Sequence, residues 1–475
     1  MAVDTEPTVD ESRYDIQAMI LYGFKRLQVV RYVFLRIEDA AETRRYLGAV
    51  LPQVSTAVKQ HGKTEALQIA FTHAGLTALQ LGQDTLGTFS TEFQEGMAKN
   101  TMSRVLGDTD DSDPEKWDFG GPKTDPVHVM VALFALDQTA LDALHAAQRA
   151  LWKGAMIEVH SEDGGRLPQD KEHFNFHDSI SEPYIRGSGE PQPPGQDTVE
   201  PGEIVLAHTD GYGQPARSPT TRAANDPEGL LAISVMYPSR RDLGRNGTYL
   251  AFRKLEQDVP GFWNFWRANA ETAEETIWLA SKAVGRWPSG APLALTPDRD
   301  DPEFTKPDVI NNFLYLDKDP EGYGCPVLSH IRRTNPRDSV PITPEISLTE
   351  TSRHRIIRRG FSYGPFLDYV KENDDGRLKA DNVRRGLLFI AINGDLLRQF
   401  VFLQQTWANN AGFQGGINQK DPVIGDSDGT NVMEIPRNPA RRRISNVPRF
   451  VQMKGGAFFF LPSISALRYL AWGGK

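Results

Sequence analysis

Cysteine is nearly missing from this chain. Cys325 stands alone among 475 residues, so no disulfide can close within the chain, which suits a reducing compartment. Long apolar runs are missing too. None reaches the ~18 residues that a membrane helix needs, so no membrane partner is expected. Positive charge is in deficit, with a formal net charge of −9 at pH 7. That excludes a general basic surface and, with it, nucleic acid as an expected partner. The opening MAVDTEPTVDESRYD has neither a basic n-region nor an apolar h-region, and the expected location is the cytoplasm.

What is present is a globular composition, 39% hydrophobic and 24% charged, over a length that suits roughly two to four domains. RYVFLRI (31–37) is rich in β-branched and aromatic residues and reads as a strand. Residues 39–58 carry an apolar stripe at helical spacing, and 66–79 read as a strand running into a helix. Residues 127–136 read as a strand, 139–152 as an amphipathic helix and 155–161 as a further strand. The second half repeats the theme with a strand over 247–255, a helix over 260–270 with Pro260 in its first turn, a strand over 386–392 and a helix over 395–409. RFVQMKGGAFFFLP (449–462) reads as a hairpin turning at Gly455-Gly456, and SISALRYLAW as a helix behind an N-cap serine.

Two split β-α-β halves predict an α+β fold of two ferredoxin-like domains, each an antiparallel sheet with flanking helices. The expected division is a disordered start over 1–14, an N-terminal domain over 15–200 and a C-terminal domain over 201–475. Long loops rich in Pro, Gly and Asp cover 187–228 and 286–350. Loops of that length in a compact fold are functional or disordered as a rule.

Three stretches carry candidate chemistry. HFNFHDSISEPYIRG (173–187) offers His173, His177 and Asp178 as metal ligands, but histidines four apart share a face only on a helix, and this stretch does not read as one. Ser179 or Ser181 beside His177 lacks the GxSxG elbow of a serine nucleophile. An acid that caps a turn accounts for the stretch equally well. CPVLSHIRRTNPRD (325–338) sets His330 before Arg332, Arg333 and Arg337. Such arginines either pair within a loop or gather round an anionic ligand, since the guanidinium fork fits carboxylates and phosphates. RHRIIRRGFSYGP (353–365) packs Arg353, Arg355, Arg358 and Arg359 before Gly360 and Gly364.

In chain order, DIQAMILYGFKRL (15–27), FNFHDSISEP (174–183), EPGEIVLAHTDGYG (200–213), LGRNGTYLAFRKLEQDV (243–259), CPVLSHIRRTNPRD, RRGFSYGP (358–365), DLLRQFVFLQQTW (395–407), DPVIG (421–425) and RFVQMKGGAFFFLP together resemble the dye-decolorizing peroxidases. The resemblance spans nearly the whole chain. It implies one ferric haem b per chain, held in the C-terminal domain. His330 would be the proximal iron ligand, with Asp421 as the acid behind it. Arg358 would stand over the opposite haem face, with Asp178 beside it. Ser179, Ile180, Ser181, Asn335, Pro336 and Arg337 would touch the haem or its propionates. Leu387 and Phe389, two apart on a strand, would form the apolar distal wall.

The implied partners are hydrogen peroxide and a one-electron donor such as a dye or a phenolic compound. Asp178 would move the peroxide proton as general acid–base, and Arg358 would stabilise the charge that builds as the O–O bond breaks. An Asp base suits acid pH, because a free carboxylate titrates near pH ~4. One departure stands out. The family loop begins and ends with glycine, where this chain has Asn175 and Ser179. Asn tolerates positive φ; Ser does so poorly. That departure supports a rival reading, a haem storage or sensor protein with little peroxidase activity. A metal-dependent hydrolase built on His173, His177 and Asp178 is a second rival.

Overall fold

The computed structural model describes residues 8–59 and 62–473. At its centre antiparallel strands close into a barrel. The first part of the chain supplies β1 (Val29–Ile37), β2 (Glu65–Phe71), β3 (Val129–Ala135) and β4 (Met156–Gly165). The rest supplies β5 (Thr248–Gln257), β6 (Ile357–Arg358), β7 (Phe361–Tyr363), β8 (Gly386–Asn393) and β9 (Val451–Leu461). The order is β6-β8-β7-β4-β1-β3-β2-β9-β5, and β8 also pairs with β5 to close the ring. β6 and β7 lie end to end along β8 in one register, Arg358 opposite Ala391 and Phe361 opposite Leu388. The fold is α+β, and its two ferredoxin-like sheets share one barrel. They meet at two narrow seams, Phe71 opposite Phe460 and Gly165 opposite Ser362.

Alternation along the strands sorts the core. Val30, Tyr32 and Phe34 of β1 join Phe252, Leu388, Ile390 and Phe459 inside the barrel. Val33, Leu35 and Ile37 face outward, under α1 (Ala40–Val50), α2 (Gln138–Trp152) and α6 (Ile464–Trp472). Side-chain caps start these helices: Asp39 accepts from Ala41 and Glu42, Asp137 from Ala140, and Ser463 from Ala466. On the other half of the barrel, α3 (Val259–Ala268) and α4 (Ala273–Val284) build a separate apolar cluster with Phe174, Phe176 and Phe450.

Several sequence expectations need correction. The hairpin over 449–462 does not form; β9 continues through Gly455 and Gly456, with a shift of register between Met453 and Gly455. A Cβ on Gly455 would lie 2.6 Å from the Phe119 ring, and one on Gly456 would lie 2.2 Å from the Phe252 carbonyl oxygen. These glycines serve close packing, not a turn. The helix over 395–409 winds with wide π-type turns over Leu397–Val401 and Leu403–Ala408, so that Val401 N–H reaches five residues back to Leu396. Residues 1–7 lie outside the described residues, but 8–14 form turns anchored to the fold. Val9 is buried, and Arg13 pairs with Asp10 and Glu190. The long loops 187–228 and 286–350 hold only short turns, strands and helices, and the second carries α5 (His330–Thr334).

Candidate active site

Between the outer face of the C-terminal half-barrel and the loops lies a cavity of about 1110 Å³, just above the ~300–1,000 Å³ usual for small-molecule sites. Leu388 and Ile390 fill the barrel interior. Leu387 and Phe389, alternating with them, therefore face outward and line the cavity. Val284, Ile331, Val423 and Ile424 add to the apolar wall.

His330 opens α5 and lines this cavity. Its Nδ1 lies 2.9 Å from Asp421 Oδ2. Asp421 is fully buried, and its Oδ1 accepts from Val423 N at 2.8 Å and Ile424 N at 3.0 Å. Burial pushes its pKa up, but His330 and the Ile424 N–H outweigh this and hold the carboxyl below its usual range. A carboxylate on Nδ1 fixes the Nδ1–H tautomer and leaves the Nε2 lone pair for a ligand.

Of the two uses open to the arginines after His330, Arg332 and Arg333 take the internal one. Arg332 donates to the carbonyls of Asp319 (2.9 Å) and Cys325 (3.0 Å). Arg333 donates to Gln419 O at 2.7 Å and also to the carbonyls of Trp407 and Asn410. Both are fully buried; Arg332 ties α5 to the turn at 319–325, and Arg333 staples it to the segment ahead of Asp421. Arg337 does line the cavity, with Nη1 on the carbonyls of Asn311 (2.8 Å) and Phe313 (2.5 Å). Asn335 lines it as well; its Nδ2 donates to Asp197 at 3.0 Å and its buried Oδ1 has no partner among the described residues. Pro336 is buried and stands outside the cavity lining.

The loop after β4 brings the acids. Glu172 organises it, accepting from Phe174 N (2.8 Å), Phe176 N (3.0 Å) and Gln257 Nε2 (2.8 Å). Burial pushes Glu172 up to about 7. Asn175 and Ser179, the two replaced glycines, both keep positive φ, at 72° and 59°. Asn175 is stabilised there, because its Oδ1 accepts from Tyr369 N and its Nδ2 donates to the His173 and Leu367 carbonyls. The Ser179 side chain is exposed, and its N–H donates to Asp178 Oδ1 at 2.6 Å. Asp178 is open to the cavity, and Arg358 Nη1 reaches its Oδ1 at 3.5 Å. Ser179, Ile180 and Ser181 line the cavity, and the Ser181 carbonyl accepts from Arg355 Nη2 at 2.9 Å.

Glu182, to which the sequence reading gave no role, is the main acidic partner of Arg358. Its Oε2 accepts from the Arg358 backbone N–H and its Oε1 from Arg358 Nε, each at 2.8 Å. Glu182 first, and Asp178 with it, raise the Arg358 pKa despite burial. The only sequence signal was an acid just before Pro183 in a candidate loop. The metal-hydrolase reading fails on geometry. His173 is buried with Nε2 on the Tyr363 carbonyl at 2.8 Å, and burial pushes it down to about 4. His177 Nδ1 faces the Asp178 carbonyl. Among the described residues no three His, Cys, Asp or Glu side chains group to hold a bare metal ion.

One imidazole with a free Nε2, a broad apolar wall and several guanidiniums fit a flat apolar macrocycle that needs one axial nitrogen and carries anionic edges. Residues 15–168 match the family described as the DyP dimeric alpha+beta barrel domain. A dye-decolorizing peroxidase of Exidia glandulosa is 33% identical over 95% of this chain and 86% of its own length. The multifunctional dye peroxidase DyP2 of an Amycolatopsis species is 31% identical over 92% of this chain and 91% of its own. A solved dye-decolorizing peroxidase in complex with 2,6-dimethoxyphenol superposes with a TM-score of 0.78 at 27% identity, covering 97% of this chain and 99% of that one.

Proposed function

The chain belongs to the dye-decolorizing peroxidases, a family of haem peroxidases, and on that premise we propose that its cavity holds one haem b with His330 as the axial ligand and Asp178 and Arg358 as the peroxide-activating pair. The observation that carries this is the His330–Asp421 contact at 2.9 Å in the same cavity as the Asp178–Arg358–Glu182 group. When bound, the haem supplies an iron centre that takes two electrons' worth of oxidation from peroxide and returns to rest one electron at a time. Asp421 holds the His330 imidazole in the tautomer that ligation needs and raises its basicity. Asp178 keeps Oδ2 free of protein partners among the described residues, so its carboxylate can take a proton from one peroxide oxygen and deliver it to the other. Arg358, fixed by Glu182, presents Nη1 to the negative charge that develops as the O–O bond breaks. Leu387 and Phe389 keep that side of the cavity apolar.

Dyes or phenolic compounds are the proposed electron donors, a class supported by the phenol complex of the structural relative. The storage or sensor alternative was drawn from the two replaced glycines; against it, Asn175 and Ser179 both take the positive φ that glycine would supply. The test is the purified protein. We expect a Soret band at close to one haem per chain and peroxide-dependent bleaching of a dye, with His330→Ala losing both the tight haem and the band. A variant that keeps full haem with an unchanged spectrum sinks the ligand assignment. His177 is then the alternative, because His208 is buried on Asn246 and stands outside the cavity lining.

A further inference from the structure

Arg358 and Arg359 are neighbours with opposite surroundings. The register along β6 and β7 is unbroken, so Ile357, Arg359 and Phe361 share one face. Ile357 and Phe361 belong to the barrel interior. Arg359 therefore points to the barrel mouth, while Arg358 points outward to Asp178 and Glu182. Its Nε donates to Met19 O at 3.0 Å and its Nη1 to the Arg358 carbonyl at 3.2 Å. Its Nη2 has no hydrogen-bond partner among the described residues. Glu182 attracts it, but the oxygens of Glu182 are engaged by Arg358. Burial pushes Arg359 down to about 10, the response of a cation short of counter-charge.

A second guanidinium shares the mouth. Arg166 lies over the Phe361 ring at 5.1 Å, and its buried Nε is without a hydrogen bond. The turn at 22–26 closes this end. Gly23 packs against Arg359, and the Phe24 ring lies 4.5 Å from that of Phe134. Lys25 and Arg26 on the same turn are exposed. Lys25, Arg26 and Arg166 make no ion pair among the described residues, and all line the same cavity as His330. Of the acids that line this cavity, Glu190 is taken by Arg13 and Lys59, Asp108 by Arg253 and Asp426 by Lys420. Asp178 and Glu182 are taken by Arg358, Glu172 accepts from its own loop and Gln257, and Asp170 is exposed. On a chain of net charge −9, this lobe is a basic, aromatic-walled exception.

We propose that the barrel mouth binds an aromatic carboxylate, held by Arg166 and Arg359 with its ring against Phe24 and Phe361, and that a phenolic acid of this class is the electron donor. This rests on the peroxidase reading above. One strand separates the site from Arg358. Two donor molecules are oxidised per peroxide; each loses one electron and its phenolic proton, and the peroxide becomes two waters.

The probe pair is 4-hydroxybenzoate and its methyl ester, which keeps the phenol and loses the charge. Calorimetric titration of the haem-loaded protein at low salt is expected to show the acid binding about tenfold more tightly, as for one or two charge-assisted contacts. That preference falls towards one in Arg166→Gln and Arg359→Gln and with added salt, and the acid-to-ester ratio of kcat/KM falls in parallel. Should either variant lose the native circular dichroism, the double variant Lys25→Ala/Arg26→Ala, on exposed positions, reports the same ratio and is expected to halve it or more. Equal binding of acid and ester by the wild-type protein, or a preference untouched by the folded variants, overturns the proposal. A preference for the acid without oxidation of either probe instead leaves the site standing and removes the peroxidase assignment.

Discussion

At the level of single residues, the two carboxylates beside Arg358 differ in what they hold. Both oxygens of Glu182 are occupied by Arg358, whereas Asp178 keeps one oxygen free. Asp178→Asn is therefore expected to slow the reaction with peroxide by roughly 10²–10⁴-fold, with haem content unchanged; stopped-flow mixing measures it, and an unchanged rate refutes the acid–base role. Glu182→Gln leaves an acceptor on Arg358 but removes the charge. We expect a loss of about tenfold in that rate, of the order set by one hydrogen bond to a charged group, together with weaker cyanide binding because Arg358 is no longer fixed. Ser179→Gly should change the rate by less than about threefold, since Ser179 already has the φ that glycine supplies at lower strain. The stretches that hold His330, Asp421, Asp178 and Arg358 could be picked out through the family resemblance, and the fold brings His330, Asp178 and Arg358 to one cavity with Asp421 behind His330. The role of Glu182 was not legible, because an acid before a proline shows its partner only once β6 is folded beside it. Arg332 and Arg333 misled for a related reason: a run of charge gives no sign that its targets are backbone carbonyls.

At the level of elements, most strands and helices followed from periodicity, and the misreadings came where tertiary packing decides. Gly455-Gly456 carries the signature of a tight turn, yet β9 passes through it extended because Phe119 and the Phe252 backbone occupy the space a side chain would need. The consequence is testable. Gly456→Ala places a methyl group 2.2 Å from a backbone oxygen, so it should destabilise by about 3 kcal/mol or more, as overpacking against rigid backbone does. Thermal unfolding checks this, and a melting temperature equal to that of the wild type would return the segment to a turn. The π-type winding over Leu397–Val401 was equally hidden. Gln399 sends its Nε2 to the carbonyls of Glu203 and Arg355, partners that lie far off in sequence. The barrel closure was out of reach too, since each seam between the two sheets rests on a single residue pair. The loop that carries Asp178 falls within 15–200 in the sequence division, yet its bonds run to Gln257, Arg358, Tyr363 and Tyr369.

For the molecule as a whole, the cavity wall sets how stability responds to pH. Glu172 is pushed up to about 7 from 4.5, and His173 is pushed down to about 4 from 6.5, in both cases by burial first. A carboxyl whose pKa rises on folding keeps its proton in the folded chain when the unfolded chain has lost it. Stability from Glu172 therefore falls as pH climbs from about 4.5 through 7. His173 acts in the opposite sense. Between 6.5 and about 4 the unfolded chain takes up the proton first, so stability falls as pH drops. The two slopes oppose each other across the weakly acid range in which an Asp base is ionised, and they damp the net dependence there. Removing one should expose the other. Glu172→Gln resembles the protonated side chain, so its melting temperature should match that of the wild type below pH about 4.5, where Glu172 is neutral in both states, and exceed it by a margin that grows up to pH about 7 and then stays level. His173→Gln should show the complementary pattern, gaining on the wild type only as pH falls below 6.5. Melting curves for the three proteins at matched haem content, from pH ~4 to ~8, decide it. A margin for Glu172→Gln that does not vary with pH means that Glu172 holds its loop as a carboxylate throughout, and that the acid side of the profile belongs to other groups.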